Sequence, residues 1–324
     1  MRHQSILLYF AIAFFFSCEK VSPIGVLVAG TNVEDRVKMS EQFYLDHYKE
    51  RIWLESDGDY TFIVGSDSHM TTDPGRLDEM LSIGLASDDL FYAHLGDIVD
   101  TKVEYYVRLD SLIQEGKRKY VAAKDLKEEY DDIVFPFFPI VGNHDITRNG
   151  WALWSNLFHS SFYEIDVIVR EGEQKYYDHL IFLDTASGTL GETQIRLLKE
   201  GFLNGKFYYG QGYRYTFVFS HTNIFRPEFN EFASTFCREE NFFLLSQFAE
   251  WNVTCVFCGH THRWDERDFN GVHYLTIETM SERSHKNEGD YLVRVRIPAS
   301  ANQDVTYEKV RMKYVPAPAS RVSP

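Results

Sequence analysis

The sequence has few positive charges for its length. Its 324 residues contain 33 Lys and Arg against 48 Asp and Glu, which gives a formal net charge of −15. A surface this acidic exerts no general attraction on a nucleic-acid backbone, so long polyanions are not expected partners. With 44% apolar and 25% charged residues, the composition is that of a globular protein. It excludes a disordered, collagenous or polytopic membrane protein, and the length allows a substantial core.

The apolar run at the N-terminus is too short to cross a bilayer. It covers the 11 residues Ile6–Phe16 after the basic Arg2, which is typical of a secretory signal. It ends at Ser17-Cys18, and a small residue before a cysteine resembles a bacterial lipoprotein signal. We therefore predict a signal peptide at 1–17, acylation of Cys18, and an outer-membrane-anchored lipoprotein of the bacterial cell envelope facing the periplasm or the surface. The alternatives are an ordinary cleaved signal peptide and a buried N-terminal strand.

Cysteine is scarce, and its number does not describe a disulfide scaffold. Beyond Cys18 the sequence contains Cys237, Cys255 and Cys258, an odd count. Cys255 and Cys258 have C-x-x-C spacing, but they lie inside an apolar run and not at a helix start, where such a pair would be reactive. We interpret them as buried strand residues, and the sequence leaves their oxidation state open.

Short apolar runs that end in polar turns recur along the chain, at 60–69, 91–100, 135–145, 179–186, 215–222 and 253–262. Such runs are typical of strands buried on both faces. Helical patterns lie between some of them, at 36–50, 104–132, 191–200 and 239–250, and the last part of the chain alternates as β-strands. The sequence therefore predicts an α/β fold. We divide it into a tether at 18–35, one domain at 36–315 and a frayed tail at 316–324.

Side chains that can bind metal ions follow the predicted strands. The carboxyl ends of strands are where sites are built in open α/β sheets. Carboxylate, amide and imidazole groups are ligands that Zn²⁺, Mn²⁺, Fe and Mg²⁺ accept. Seven such groups are too many for one tetrahedral ion and suit two divalent ions, of open identity, that share a carboxylate. The seven residues are Asp67, His69, Asp97, Asn143, His221, His260 and His262.

The order of these motifs resembles the calcineurin-like metallophosphoesterase superfamily. D-x-H, G-D-x-x-D, G-N-H-D, a histidine and G-H-x-H follow one another over about residues 60–280. The resemblance implies a four-layer α/β/β/α sandwich of two mixed sheets flanked by helices. It also implies that hydroxide shared by two metal ions hydrolyses a small phosphate ester, either a monoester or a diester. The aspartate at position 100 and the motif G-N-H-D, with Asp as its last residue, favour the single-domain bacterial branch of the superfamily.

The resemblance also implies a role for each motif residue. Asp97 would bridge the two ions, and His144 would donate a proton to the leaving oxygen. Asp100 and Asp145 would orient the ligands or His144 by hydrogen bonds, and Asp145 in particular would keep the His144 ring oriented. The two sets of metal ligands would be Asp67, His69 and His262 for one ion, and Asn143, His221 and His260 for the other.

Substrate contacts and the exact reaction are less determined by the sequence. Arg148 could pair with phosphate and Trp264 could stack on a base or sugar, or they could be a surface arginine and a packed tryptophan. The alternative functions are a nuclease, a phospholipid-type phosphodiesterase and a non-catalytic envelope binding lipoprotein. Membrane contact is expected only through the lipid anchor, and the oligomeric state is open. The other histidines are interpreted as surface residues: His47, His94, His159, His179, His273 and His285.

Overall fold

The computed structural model describes residues 31–47, 52–127, 130, 133–202, 212–225, 236–281, 291–300 and 303–313. The predicted signal peptide, Cys18, most of the predicted tether, the tail and His285 lie outside the described residues. Among the helices within these ranges, none is long and apolar enough to cross a membrane.

Helices and strands alternate over most of the chain, and the last described part is all strand. The helices are α1 (Val33–His47), α2 (Gly75–Ala86), α3 (Val103–Lys124), α4 (Asn143–Ile146), α5 (Gly150–Phe158), α6 (Gly191–Leu197) and α7 (Arg238–Glu250). The strands are β1 (Ile52–Ser56), β2 (Tyr60–Gly65), β3 (Phe91–His94), β4 (Phe137–Pro139), β5 (Tyr163–Glu171), β6 (Gln174–Phe182), β7 (Tyr213–Ser220), β8 (Cys255–Cys258), β9 (Asp265–Phe269), β10 (Val272–Thr276), β11 (Tyr291–Ile297) and β12 (Thr306–Arg311).

Helices α1 and α3 differ from their predicted bounds, and α6 ends at Leu197, before the predicted residue 200. Helix α1 begins at Val33, inside the predicted tether, because the Asn32 side chain accepts a hydrogen bond from the backbone N–H of Asp35 at 2.8 Å and caps the helix. Helix α3 ends at Lys124, before the predicted residue 132, because Asp125 adopts a left-handed backbone conformation with φ 49°.

The strands form two mixed sheets. The larger sheet has the order β1-β5-β6-β7-β8-β10-β9, and the smaller has the order β12-β11-β2-β3-β4. In the smaller sheet β2, β3 and β4 are parallel, whereas β11 pairs antiparallel with β2, with Val295 opposite Phe62. In the larger sheet β6, β7 and β8 are parallel. Each sheet therefore contains a set of three neighbouring parallel strands, and the motif residues follow the carboxyl ends of these strands.

Alternate side chains of the central strands enter different cores. Phe62 and Val64 of β2 point between the two sheets, whereas Ile63 packs toward helices α2, α3 and α5. A third core lies between the larger sheet and helices α1, α6 and α7. The fold is therefore the four-layer α/β/β/α sandwich that was predicted. Seven phenylalanines lie in the layer between the sheets.

The two cysteines of β8 are buried strand residues, as predicted. Cys255 faces the layer between the sheets, and Cys258 faces the outer core. Both are free thiols, and residues three apart in a strand point to opposite faces. Burial raises the pKa of the Cys258 thiol to about 12. The two cysteines of the C-x-x-C spacing are therefore packing residues on opposite faces of one strand.

Candidate metal centre

The seven predicted ligands lie at one edge of the sandwich, where strands of both sheets end. The loops after β2, β3 and β4 carry four of them, and the loops after β7 and β8 carry three. A hydrogen bond joins the two sets, because the backbone N–H of His260 donates to Oδ2 of Asp67 at 2.9 Å. The two sheets therefore build one site together.

The first group of ligand atoms comes from Asp67, His69 and His262. Nε2 of His262 lies 3.2 Å from Oδ1 of Asp67 and 3.2 Å from Nε2 of His69. An ion with bonds of about 2.0–2.1 Å in tetrahedral geometry would separate its ligand atoms by about 3.3 Å. Within the described part of the chain, the buried Oδ1 of Asp67 has no hydrogen-bond partner. An unpaired buried carboxylate oxygen facing two imidazole nitrogens suits a divalent cation.

The second group contains Asp97, His221 and His260, with Asn143 beside them. Nε2 of His221 lies 2.9 Å from Oδ1 of Asn143, and Nδ1 of His221 lies 2.7 Å from the carbonyl oxygen of Leu95. The carbonyl oxygen accepts a proton from Nδ1, so this tautomer directs the Nε2 lone pair to the site. Burial lowers the pKa of His260 to about 4, which keeps the His260 ring neutral.

Asp97 stands between the two groups. Its Oδ2 lies 3.8 Å from Nε2 of His69 and 3.5 Å from Nε2 of His221. Its Oδ1 accepts a hydrogen bond of 2.7 Å from the backbone N–H of His144. The carboxylate is therefore fixed by one oxygen and turns the other toward both groups.

Five of the seven predicted ligands have left-handed backbone conformations. The φ angles are 52° at Asp67, 41° at His69, 52° at Asp97, 68° at His260 and 57° at His262. Non-glycine residues rarely adopt this region, and such strain concentrates at functional sites. The strand ends are therefore shaped to aim these side chains at one point.

Close backbone approach at the site requires glycine at position 142. A Cβ on Gly142 would overlap the backbone nitrogen and Oδ1 of Asp97. The same residue donates its N–H to Oδ2 of Asp145 at 2.8 Å. Any larger residue would therefore push the turn that carries Asn143 and His144 away from Asp97.

His144 lies at the rim of the site and is partly open to solvent, with 48% of its side chain exposed. Its Nδ1 is 3.6 Å from Oδ1 of Asp100, and the same oxygen is 3.5 Å from Nδ1 of His69. The contact with Asp100 raises the pKa of His144 to about 9. Asp100 thus contacts both a predicted ligand and the predicted proton donor, in line with its expected supporting role.

Asp145 does not contact the His144 ring, contrary to the role expected of it. Its Oδ1 accepts hydrogen bonds from the backbone N–H groups of Ile98 at 3.0 Å and Val99 at 3.3 Å. Its Oδ2 accepts from Gly142. Burial and the nearby Asp97 raise the pKa of Asp145 to about 8. This carboxylate ties the loop after β3 to the loop after β4, and Asp100 takes the position beside the imidazole.

The structure does not bring Arg148 and Trp264 into the ligand cluster. Arg148 is exposed in a short turn and has a left-handed conformation with φ 50°. Trp264 is partly buried against the core between the sheets, and Nζ of Lys309 lies 3.5 Å from its ring centroid. Both observations favour the alternatives of a surface arginine and a packed tryptophan.

Two histidines interpreted as surface residues are fully buried. His94 lies at the end of β3 and burial lowers its pKa to about 3. His179 is held in the larger sheet between Glu164 and Asp166, with Nδ1 2.7 Å from Oδ1 of Asp166. The surface interpretation of both residues is wrong, because each belongs to a strand and its neighbours cover it.

Sequence reasoning also missed Thr185, which supports His221. The buried Oγ1 of Thr185 accepts the backbone N–H of His221 at 2.9 Å and that of Thr222 at 3.0 Å. Its carbonyl oxygen accepts the Thr222 hydroxyl at 2.7 Å. A threonine after a strand carries no distinctive sequence signal, so only the structure could identify it.

A two-sheet sandwich whose strand ends carry clusters of side chains that could hold metal ions is the arrangement expected of a metal-dependent phosphoester hydrolase. Residues 60–264, more than half of the chain, match the Calcineurin-like phosphoesterase family. The chain therefore belongs to that family and is a phosphoric ester hydrolase.

Solved structures are similar to this chain at low sequence identity. A purple acid phosphatase, PPD1 from seeds of yellow lupin (Lupinus luteus), matches with TM-score 0.50 and 10% identity over 79% of this chain and 52% of that chain. GAP50, the anchor in the inner membrane complex of Plasmodium, matches with TM-score 0.49 and 12% identity over 80% of this chain and 90% of that chain. A dimetal phosphatase from Danio rerio matches with TM-score 0.40 and 13% identity over 79% of this chain and 100% of that chain. No curated protein sequence matches this chain.

Proposed function

We propose that this chain hydrolyses mono- or diesters of small phosphates with two divalent metal ions bound at the strand ends. The observation that carries this proposal is the position of Asp97, whose Oδ2 faces ligand atoms of both groups. A single ion would leave one group without a cation. The ligand types can bind Mn, Fe, Zn or Mg, so elemental analysis of the purified protein is needed to identify the metals.

The ligand sets are the two groups described above with Asp97 shared between them. When bound, two divalent ions would neutralise the phosphate and lower the pKa of a bound water toward neutrality. The buried carboxylates Asp67 and Asp97 would balance part of the cationic charge. The chain is acidic overall, so attraction of a small phosphate ester depends on this local excess of positive charge.

His144 is the group that would give a proton to the leaving oxygen. Its imidazolium form is favoured by Asp100, and its exposed side chain reaches solvent at the mouth of the site. Asp100 would hold the ring through Nδ1 and leave Nε2 for the substrate. The backbone N–H of His144 is bonded to Asp97, which keeps the donor at a fixed place relative to the ligands.

Substituting His144 separates catalysis from metal binding. We expect His144→Ala to lower kcat by about 10²–10⁴-fold, because protonation of the leaving oxygen is lost. The metal content should stay at that of the wild type, since no ligand is removed. His159→Ala, at a distant histidine stacked on Phe43, is the matched control. Unchanged turnover of His144→Ala would rule out the proton-donor role.

A substrate panel tests the reaction type. Protein loaded with Mn²⁺ should hydrolyse p-nitrophenyl phosphate, bis-p-nitrophenyl phosphate or both, and the ratio assigns monoesterase or diesterase activity. Nucleotides, single-stranded DNA and phospholipid head groups in the same panel separate the nuclease and lipid alternatives. If the protein binds two metal ions and hydrolyses none of these compounds, the hydrolase proposal fails in favour of a binding lipoprotein.

We also propose that the protein is an exported, lipid-anchored component of the bacterial cell envelope. Support comes from the short apolar run and Ser17-Cys18. Cys18→Ser should move the protein from the membrane fraction to the soluble fraction and abolish labelling by a radioactive fatty acid. Cys237→Ser is the control at a cysteine far from the N-terminus. Membrane attachment unaffected by Cys18→Ser would contradict the anchor.

A further inference from the structure

Arg36, on the first turn of helix α1, is fully buried although it carries a charge. Its Nε and Nη2 donate to Oδ2 and Oδ1 of Asp184 at 2.8 and 2.9 Å, and Nη2 also donates to Oγ of Ser187 at 2.9 Å. Both partners lie in the loop after β6. A carboxylate bound by two nitrogens of one guanidinium is fixed in direction as well as in distance. Helix α1 therefore holds this loop in one orientation.

The same loop supports a predicted metal ligand from its other side. Thr185 follows Asp184 directly, and its Oγ1 accepts the backbone N–H of His221. The side chain of Gln194 in α6 accepts the backbone N–H of Asp184 and donates to its carbonyl oxygen, both at 2.9 Å. A displacement of Asp184 would therefore be passed to His221 through one peptide bond and one hydrogen bond.

Arg36 also lies beside the segment that carries Asn143. The Cζ atom of Arg36 lies 6.0 Å from the ring centroid of Trp151. This tryptophan is on helix α5, which follows the short helix α4 that begins with Asn143. Oδ1 of Asn143 is in turn 2.9 Å from Nε2 of His221. The two segments next to Arg36 therefore meet in the second ligand group.

The first ligand group is held by other elements. The backbone N–H of Asp67 donates to the carbonyl oxygen of Gly96, in the loop after β3, at 3.1 Å. The carbonyl oxygen of Asp67 accepts the hydroxyl of Thr279, which follows β10, at 2.7 Å. A change at Arg36 should therefore act on the second ligand group and not on the first.

We propose that Arg36 is a positioning residue for the second ligand group. Through the loop after β6 it holds His221 in place, and so it sets the affinity of this group for its metal ion. This inference rests on the proposed function. A buried ion pair contributes little net stability compared with apolar side chains of the same volume, so the geometry that the pair imposes is the property that the site uses. The metal centre then depends on the helix that begins inside the predicted tether.

Mn²⁺ binding to two single-group backgrounds tests this role without a catalytic step. His262→Ala leaves the second ligand group complete, and His260→Ala leaves the first group complete. The EPR signal of free Mn²⁺ at room temperature gives the Kd of each background. Because each group is measured separately, a general loss of stability would not mimic a selective effect.

The test variant combines Arg36→Met with Asp184→Asn, so that neither buried charge is left without its partner. The amide introduced at position 184 can still accept the backbone N–H of Ala186. We expect the Kd for Mn²⁺ to rise about 3–30-fold in the His262→Ala background, as coupling through packed contacts provides. The Kd should stay unchanged in the His260→Ala background.

The matched control combines Arg214→Met with Asp178→Asn. This pair is also buried and joined by two hydrogen bonds. Arg214 lies at the start of β7, however, whereas His221 follows the end of that strand. Neither Kd should change in this variant, and the same selective weakening in the control would overturn the proposal.

Arg36→Lys covers the case in which the combined variant does not fold. It keeps the charge but replaces the planar fork by a single point of contact. We expect the Kd to rise at least about threefold, in the His262→Ala background alone. An unchanged Kd in His262→Ala, an equal loss in both backgrounds, or a second group that binds no Mn²⁺ before the change would overturn the proposal.

Metal binding and turnover are independent readouts. Selective weakening of Mn²⁺ binding without hydrolysis of any ester by the wild type would refute the proposed function alone. Hydrolysis by the wild type with unchanged affinities in the variants would refute the role of Arg36 alone.

Discussion

Asp97 divides its two carboxylate oxygens between two tasks. Oδ1 accepts the backbone N–H of His144, and Oδ2 faces both ligand groups. A carboxylate can do this because both oxygens are acceptors, whereas an amide has only one. The identity of this residue is therefore more constrained than that of a ligand that contacts a single ion.

Asp97→Asn should lose metal ions. If the amide oxygen keeps the hydrogen bond from His144, the NH₂ group must face the site, where it repels cations. We expect elemental analysis to find fewer than two ions per chain after dialysis, and activity to fall accordingly. Asp110→Asn, on the exposed face of α3, is the control. Two tightly held ions in Asp97→Asn would contradict the shared-ligand assignment.

The clustering of the seven predicted ligands could be predicted from the sequence, but the partners of His144 could not. The ligands stand in a fixed order after apolar runs, and that order is visible in the chain. Asp145 is adjacent to His144 in sequence, which suggested that it orients the ring. Consecutive residues on a helix point about 100° apart, so Asp145 turns inward to backbone N–H groups and Asp100 reaches the ring from another loop.

At the scale of elements, the strands made of uninterrupted apolar residues were predicted, whereas β5 and β9, which contain acidic residues, were missed. Strand β5 contains Glu164 and Asp166, and both are buried because His179 of β6 pairs with them. The edge strand β9 is largely charged and exposed. Periodicity cannot distinguish such strands from loops, because the compensating partner lies on a neighbouring strand.

The turn after β7 depends on one hydroxyl from the loop after β6. Thr185→Val removes the acceptor of two buried backbone N–H groups, those of His221 and Thr222. Each unsatisfied group costs about 1–3 kcal/mol, so we expect the loss of two acceptor contacts to lower the free energy of unfolding in urea by about 2–6 kcal/mol. Thr185→Ser keeps the hydroxyl and should lose far less. Equal stability of the Val and Ser variants would show that the hydroxyl has no such role.

At the scale of the whole molecule, two sheets that enclose an aromatic layer meet again at the strand ends. The link from His260 to Asp67 and the contact of His221 with Asn143 both cross between them. The larger sheet also buries charged side chains, as in the cluster of Glu164, His179 and Asp166. The pH dependence of stability should therefore report on groups far from the site.

His179 should make the folded state less stable at alkaline pH. Burial lowers its pKa, but Glu164 and Asp166 outweigh burial and raise the pKa from 6.5 to about 9. The folded state thus holds this proton more tightly than the unfolded chain. The contribution of protonated His179 to the free energy of unfolding is therefore complete below pH 6.5 and is lost as the pH rises toward 9.

Urea unfolding at pH 6, 7.5 and 9.5 measures this effect. We expect the free energy of unfolding of the wild type to decline across the series, by up to about 3 kcal/mol from this group. His179→Gln should be less stable at pH 6 and should show a flatter decline. His273→Gln, at a histidine of β10 bonded to Asp268, is the control. An equal slope in wild type and His179→Gln would refute the assignment.

The pairing of β2 with β11 has a consequence for how the protein forms. Strand β2 carries the first ligands at its end, yet one of its two neighbours in the sheet comes from the last described part of the chain. A nascent chain still attached to the ribosome before residue 291 would present β2 as an open strand edge, with Asp67 and His69 already exposed. Assembly of the smaller sheet therefore waits until β11 and β12 have been synthesised, and truncations that remove these two strands should yield aggregation-prone chains.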